Sequence, residues 1–226
     1  MDPRQQRLNA LTARIDAAAV AAGRPTGARL LAVSKTQPAD AIHALAALGQ
    51  RAFGENYVQE AIAKQSLLQG FDLEWHFIGH LQSNKARDVA THFDWVQSID
   101  RPSLIDALAR HRASDAPPLH LLIQVNIDDE TSKSGCALPQ IDDLAARIRE
   151  HPNLRLRGLM TIPAADVGPR QRAASFERMQ AAFTRLREAD AGIDTLSMGM
   201  SDDFEQAIAH GATLVRIGTA LFGARG

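Results

Sequence analysis

Two cationic side chains sit in apolar runs where their presence needs a chemical reason. Lys35 closes the segment RLLAVSK (29–35), and alternation along a strand places Leu31, Val33 and Lys35 on one face. If that face is buried, the ammonium form is disfavoured, and a neutral amine can attack a carbonyl carbon. The alternative is a strand-end lysine that reaches out to solvent. Arg216 lies in TLVRIG (213–218), on one face with Leu214 and Gly218. A guanidinium cannot become neutral by giving up a proton. Inside an apolar strand it needs a partner, either a barrel carboxylate or a ligand atom.

Two glycine turns form the third feature. The backbone N–H groups of Gly199 to Ser201, and those of Gly218 and Thr219, can cradle a phosphate. Ser201 also reads as the N-cap of a helix with Asp202 and Asp203 in its first turn. Both roles are compatible if the two carboxylates point away from the anion. His76 and His80 share a strand face with Glu74 and Ile78 but lack a third metal ligand, so they read as core or pocket-lining side chains. Cys136 has no activating base in TSKSGCAL and reads as a small, semi-buried residue.

The elements that must position these groups alternate regularly. Strand-length runs occur at 29–35, 51–56, 73–80, 94–100, 119–127, 154–162, 194–199 and 213–223, with helix-like stretches at 38–48, 57–68, 84–91, 102–112, 139–150, 170–190 and 201–210. Parallel neighbours need crossovers, so this alternation predicts a parallel sheet. Eight units close a (β/α)8 TIM barrel, with an open doubly wound sheet as the rival. No helix is expected after the last strand. The N-terminal segment, with Leu8, Leu11, Ile15, Ala18 and Ala22 at helical spacing up to Gly23, is expected to take that place. In a barrel, function gathers at the C-terminal ends of the strands, where Lys35, Asn56, His80, Ser197 and Arg216 fall.

The 226 residues suit one barrel domain spanning 1–226, since α/β barrels run about 200–250 residues. A formal net charge of −1 and 5% aromatic residues argue against a nucleic-acid partner. The single cysteine fits a reducing compartment. There is no secretory apolar segment and no run of about 18 apolar residues, so the expectation is a cytoplasmic protein without a membrane span. No long apolar surface stripe is evident, which suggests a monomer.

An inward lysine, an inward arginine and a two-turn phosphate cradle together fit pyridoxal phosphate. Its aldehyde would take Lys35, its pyridine nitrogen would face Arg216, and its phosphate would meet the glycine turns. The segments VSKTQP (33–38), FGENYVQEA (53–61), WHFIGHLQSNK (75–85), QVNIDDETSKSG (124–135), GLMTIP (158–163), LSMGMSDDFEQAI (196–208) and GATLVRIGTALFG (211–223) resemble the pyridoxal phosphate homeostasis protein family. These are single-domain, fold-type III proteins. The resemblance implies a Schiff base (internal aldimine) at Lys35, Arg216 opposite the pyridine nitrogen, and phosphate binding by Ser201, Gly218 and Thr219 with the backbone of Met200. Asn56, His80 and Ser197 match family residues near the ring or phosphate.

It further implies a carrier and regulator in vitamin B6 and amino-acid balance, passing its cofactor to apo-enzymes, without robust catalysis. The alternative is a pyridoxal phosphate enzyme, such as a racemase or lyase. A two-base racemase needs a second proton acceptor, in similar racemases a tyrosine from a further domain. The only tyrosine here is Tyr57. A cofactor-free lysine aldolase is a third reading. Lys85 and Lys133, in loops at the barrel mouth, are either solvated side chains or amines that help release the cofactor.

Overall fold

The computed structural model describes residues 2–131, 133–165 and 167–223. The chain runs through α1 (Pro3–Ala21), β1 (Arg29–Val33), α2 (Ala39–Ala47), β2 (Ala52–Glu55), α3 (Val58–Leu67), β3 (Glu74–Phe77), α4 (Ala86–His92), β4 (Trp95–Ile99) and α5 (Pro102–His111). It continues through β5 (Leu119–Val125), α6 (Ile141–Arg149), β6 (Leu154–Thr161), α7 (Pro169–Ala189), β7 (Thr195–Ser197), α8 (Phe204–Ala209), β8 (Leu214–Ile217) and α9 (Thr219–Phe222). The strands close in sequence order into a parallel barrel, with β8 returning to β1 in the register Leu31↔Arg216 and Ala32↔Ile217. The expected TIM barrel is therefore the fold.

Helices cover the outer face of each strand and side chains fill the inner face, so little strand surface meets water. Outward residues such as Ala32, Phe53, Phe77 and Val96 join the helices in one large apolar layer. Inside the barrel the apolar groups are few. Leu31, Ala52 and Leu214 form one cluster with Ile78 packed on it, and Trp95, Leu122 and Met160 form another. The rest of the interior is polar, which distinguishes this barrel from a purely apolar one.

At the N-terminus, Asp2 caps α1 by accepting from Arg4 N at 2.9 Å, and Pro3 occupies the first turn, where a missing N–H costs nothing. Leu8, Leu11, Ile15 and Ala19 form its buried stripe, packed chiefly on α8 and α9. This is the expected cover between the last strand and the first. Arg7 fastens it by donating from Nε to Leu221 O at 2.8 Å.

Two details differ from the sequence expectation. The apolar run 213–223 is not one long strand: β8 stops at Ile217 and a single helical turn, α9, follows it. Gly218 O accepts from Leu221 N and Phe222 N at 2.9 Å each, which turns the chain before the strand can lengthen. Likewise α8 begins at Phe204, with Asp203 rather than Ser201 at its N-cap position. Among the described residues, no helix is long and apolar enough to cross a membrane.

Because α1 covers the β8-to-β1 gap, its stripe should carry measurable stability. Leu11→Ala removes a side chain that is almost wholly buried. It should cost about 2–5 kcal/mol in urea denaturation. Val20→Ala, at an exposed position on the same helix, should leave the midpoint unchanged.

Candidate functional site

The closure of β8 onto β1 brings Lys35 to the glycine turns. Lys35 lies two residues past the end of β1, half-buried, in a cleft lined by Val33, Lys35, Thr36, Gln37, Gly218 and Thr219. Leu31, on the same strand, is fully buried inside the barrel. The sequence therefore placed the lysine at the correct mouth, although β1 itself ends before reaching it.

Arg216 is 4% exposed and sits inside the barrel. Among the described residues it makes no ion pair with a carboxylate. Instead Nη1 donates to Ser197 Oγ at 2.8 Å and Nη2 donates to Thr161 O at 2.8 Å. The structural ion pair that its sequence position left open is thus not what holds it. Burial lowers its pKa to about 10, so the guanidinium remains charged at neutral pH. Asp203, the one carboxylate that favours its charge, is already paired with Arg172 at 2.6 Å.

A continuous hydrogen-bonded chain runs from Arg216 through the interior. Ser197 Oγ donates to Gln97 Oε1 at 2.7 Å, and Gln97 Nε2 lies 2.9 Å from His76 Nδ1. His76 Nε2 lies 2.6 Å from Glu74 Oε1, which also accepts from Arg29 Nη2 at 2.7 Å. An amide NH2 only donates, so His76 Nδ1 must accept and His76 Nε2 carries the proton given to Glu74. That fixes His76 as neutral. Burial lowers its pKa even though Glu74 favours the charged form. Burial opposes ionisation of Glu74, but hydrogen bonds from His76 and Arg29 and the charge of Arg29 hold the carboxyl at about 2. Ser197 therefore serves the guanidinium. The sequence reading placed Ser197 near a ligand and did not connect it with Gln97 or His76. The available signal was the row of polar residues at inward positions of otherwise apolar strands.

The first glycine turn follows β7. Gly199 has φ +94°, and an added Cβ would lie 2.6 Å from Ala207 Cβ, so only glycine fits this approach to α8. The N–H of Met200 donates to Asp203 Oδ1 at 2.7 Å, so the amide expected to meet an anion is already satisfied. Asp203 does face the turn, contrary to the condition set by the sequence, but Arg172 balances its charge. Ser201, half-buried, and Thr219, exposed, remain at the mouth, and among the described residues neither N–H is engaged. At the second turn, a Cβ on Gly218 would meet Val33 O at 3.4 Å, Val33 Cβ at 3.6 Å and Val33 Cγ1 at 3.9 Å, all ordinary contacts. A methyl group would fit there without a clash.

Asn56 and His80 line a second part of the mouth, a cavity of ≈ 560 Å³ shared with Tyr57, Gln82 and Lys85. Asn56 Oδ1 is buried there without a hydrogen-bond partner. His80 is exposed and its Nδ1 lies 3.0 Å from Ser134 Oγ. Lys133 Nζ donates to Pro163 O at 2.8 Å and pairs with Glu130 at 3.2 Å, so its amine ties two loops together. Cys136 is buried, and burial pushes its thiol up to about 12, which excludes a resting thiolate. Among the described residues, no three His, Cys, Asp or Glu side chains gather as a metal set.

Buried His76 and half-buried His120 make stability pH-dependent. Burial, followed by the charge of Arg157, lowers His120 from 6.5 to about 4, and His76 is lowered as well. The unfolded chain takes up these protons first, so stability is complete above about pH 6.5 and falls as the pH drops towards about 4. Denaturant midpoints measured between pH 7 and 5 should fall, and His120→Gln should make that fall shallower.

The chain matches the family model described as "Alanine racemase, N-terminal domain" over residues 6–226. It is 54% identical over 220 residues to a pyridoxal phosphate homeostasis protein of Pseudomonas aeruginosa, covering 95% of this chain and 93% of the relative. PipY of Synechococcus elongatus, solved with pyridoxal phosphate bound, superposes with a TM-score of 0.85 at 36% identity, covering 97% of this chain and 100% of that one. An alanine racemase of Corynebacterium glutamicum shares the fold at a TM-score of 0.66 and 20% identity, with 96% of this chain covering 61% of that one. With this identity over nearly its full length, the chain belongs to the pyridoxal phosphate homeostasis protein family.

Proposed function

We propose that this single barrel domain binds pyridoxal phosphate through a covalent link between the cofactor aldehyde and Lys35 Nζ. It would act as a monomeric cytoplasmic carrier and regulator in vitamin B6 and amino-acid homeostasis, without robust catalysis. The observation that carries the reading is Arg216, a buried guanidinium held by a hydroxyl and a carbonyl rather than a carboxylate. It stands two residues before Gly218, which lines the cleft with Lys35 and Thr219. A buried cation without an anionic partner suits a ligand acceptor atom, here the pyridine nitrogen. The side-chain-free Gly218 at the cleft, and Asn56 Oδ1, buried without a partner among the described residues, fit the same group. The family relatives and pyridoxal phosphate-bound PipY support the choice of cofactor.

When bound, the cofactor supplies an aldehyde with which the Lys35 amine condenses, releasing water. The chain's own residues bind and orient. Ser201, Gly218 and Thr219 would hold the phosphate, and Arg216 would keep its proton and donate a hydrogen bond to the ring nitrogen. A charged Arg216 at that atom would disfavour ring protonation and with it carbanion chemistry. Asn56 and His80 would border the mouth. A covalent link of this kind would be reversible, so an amine on an apo-enzyme could receive the cofactor.

The relationship to the alanine racemase domain favours one second reading, an amino-acid racemase or lyase. Against it, Tyr57 is 58% exposed at the rim and is the only tyrosine in the chain. The protein should turn yellow on loading, and borohydride should fix the cofactor mass on Lys35. Lys35→Ala should abolish both. A protein that takes up no cofactor would reject the proposal. Amino-acid turnover at ordinary enzyme rates, on the order of 1–1,000 per second, would replace the carrier with the enzyme. Gly218→Ala should leave stability within about 0.5 kcal/mol while weakening cofactor binding in equilibrium dialysis.

A further inference from the structure

Behind the cleft, on the outer face of the barrel under α3, lies a second lysine. Lys64 is 6% exposed, and Glu55 beside it is fully buried. Lys64 Nζ donates to Ser34 O at 2.8 Å, to Glu55 Oε1 at 2.7 Å and to Glu60 Oε1 at 2.5 Å. The three N–H donors of the ammonium are matched to three acceptors, which leaves this amine fixed away from the cleft. Glu55 Oε1 also accepts from Ser34 Oγ at 2.6 Å, and Glu60 Oε1 accepts from Thr36 N at 2.6 Å.

These contacts converge on the residues flanking Lys35. The carbonyl before it, Ser34 O, binds Lys64, and the amide after it, Thr36 N, binds Glu60. Thr36 has φ +64°, a left-handed conformation that a β-branched residue adopts only when its surroundings impose it. Apart from Asp129, it is the only non-glycine residue with positive φ among the described residues. A buried ion pair is weak evidence for stability in itself, and its best-attested use is to fix one conformation.

We propose that Lys64 and Glu60 form a partly buried ionic clamp that imposes the left-handed turn at Thr36 and so presents the Lys35 amine to the cleft. Both are positioning residues, acting through the backbone on either side of Lys35. The inference rests on the proposed cofactor linkage at Lys35.

The test uses the full chain and pyridoxal phosphate itself. Uptake is followed by visible absorbance and by borohydride trapping with mass analysis, for wild type, Glu60→Ala and Lys64→Met, each variant with and without Thr36→Gly. Glycine adopts positive φ without strain, so it supplies the turn when the clamp is broken. Glu60→Ala removes the acceptor of Thr36 N, keeps the Lys64 contacts to Glu55 and Ser34, and serves if Lys64→Met fails to fold. The clamp variants should load roughly tenfold more weakly, about the weight of one left-handed non-glycine residue. Adding Thr36→Gly should restore loading. Unchanged loading in folded Glu60→Ala overturns the clamp. So does lost loading that glycine does not restore, because that pattern marks a structural role only. Failure of wild type to load at all rejects the cofactor reading instead.

Discussion

An arginine cannot escape burial by deprotonating, and that constraint organises the interior of this barrel. Once Arg216 lies inside, Ser197 Oγ must accept from it, so the serine proton is directed at Gln97. The Gln97 amide is thereby oriented, and its NH2 group faces His76 Nδ1. The histidine is confined to one neutral tautomer, and Glu74 and Arg29 complete the sequence near the opposite rim. No member can reverse its donor or acceptor role without leaving a neighbour unsatisfied, and a buried unsatisfied group costs about 1–3 kcal/mol. Polar residues that would be liabilities one at a time become a fixed scaffold as a set.

The same logic separates two kinds of lysine in one small region. Lys64 has every proton matched to an acceptor and a position behind the strand. Lys35 lies in the open cleft, next to backbone that leaves room for a ligand. Their difference is one of environment, since the side chains are chemically identical. A barrel suits this division, because its strands carry one set of residues inward and another outward within a few ångströms.

Much of this was legible before any coordinates. Strand and helix alternation is a periodic signal, so eight units, their order and the barrel mouth that Lys35 occupies could be read directly. Residues whose partners are distant in sequence were harder to place. Gln97 and Ser197 are a hundred positions apart. The role of Glu55 depends on its pointing outward at Lys64, which strand alternation permits but does not name. Ser201 was read as a cap from local sequence preference, yet Asp203 holds that turn because Arg172, on another helix, balances its charge. The tail of the last apolar run folds as a helical turn because Gly218 collects two amides, whereas hydrophobicity alone suggested more strand. In each case the deciding contact was a single hydrogen bond or charge, which leaves no repeat in the sequence.

The pairing of β8 with β1 joins segments separated by nearly the whole chain. Contacts of such long separation pay their loop-closure entropy late in folding. The lysine follows one strand of this seam and the glycine turn follows the other, at the same end of the barrel. A growing polypeptide therefore exposes Lys35 long before β8 and the turn after it exist, and the cleft comes into being only as the cylinder shuts. A ligand that bridged the seam, as the proposed cofactor would, binds the shut form alone, so mass action would draw the closing equilibrium towards the native state. Ligand and architecture would then protect each other, and the occupied protein would open less often than the empty one.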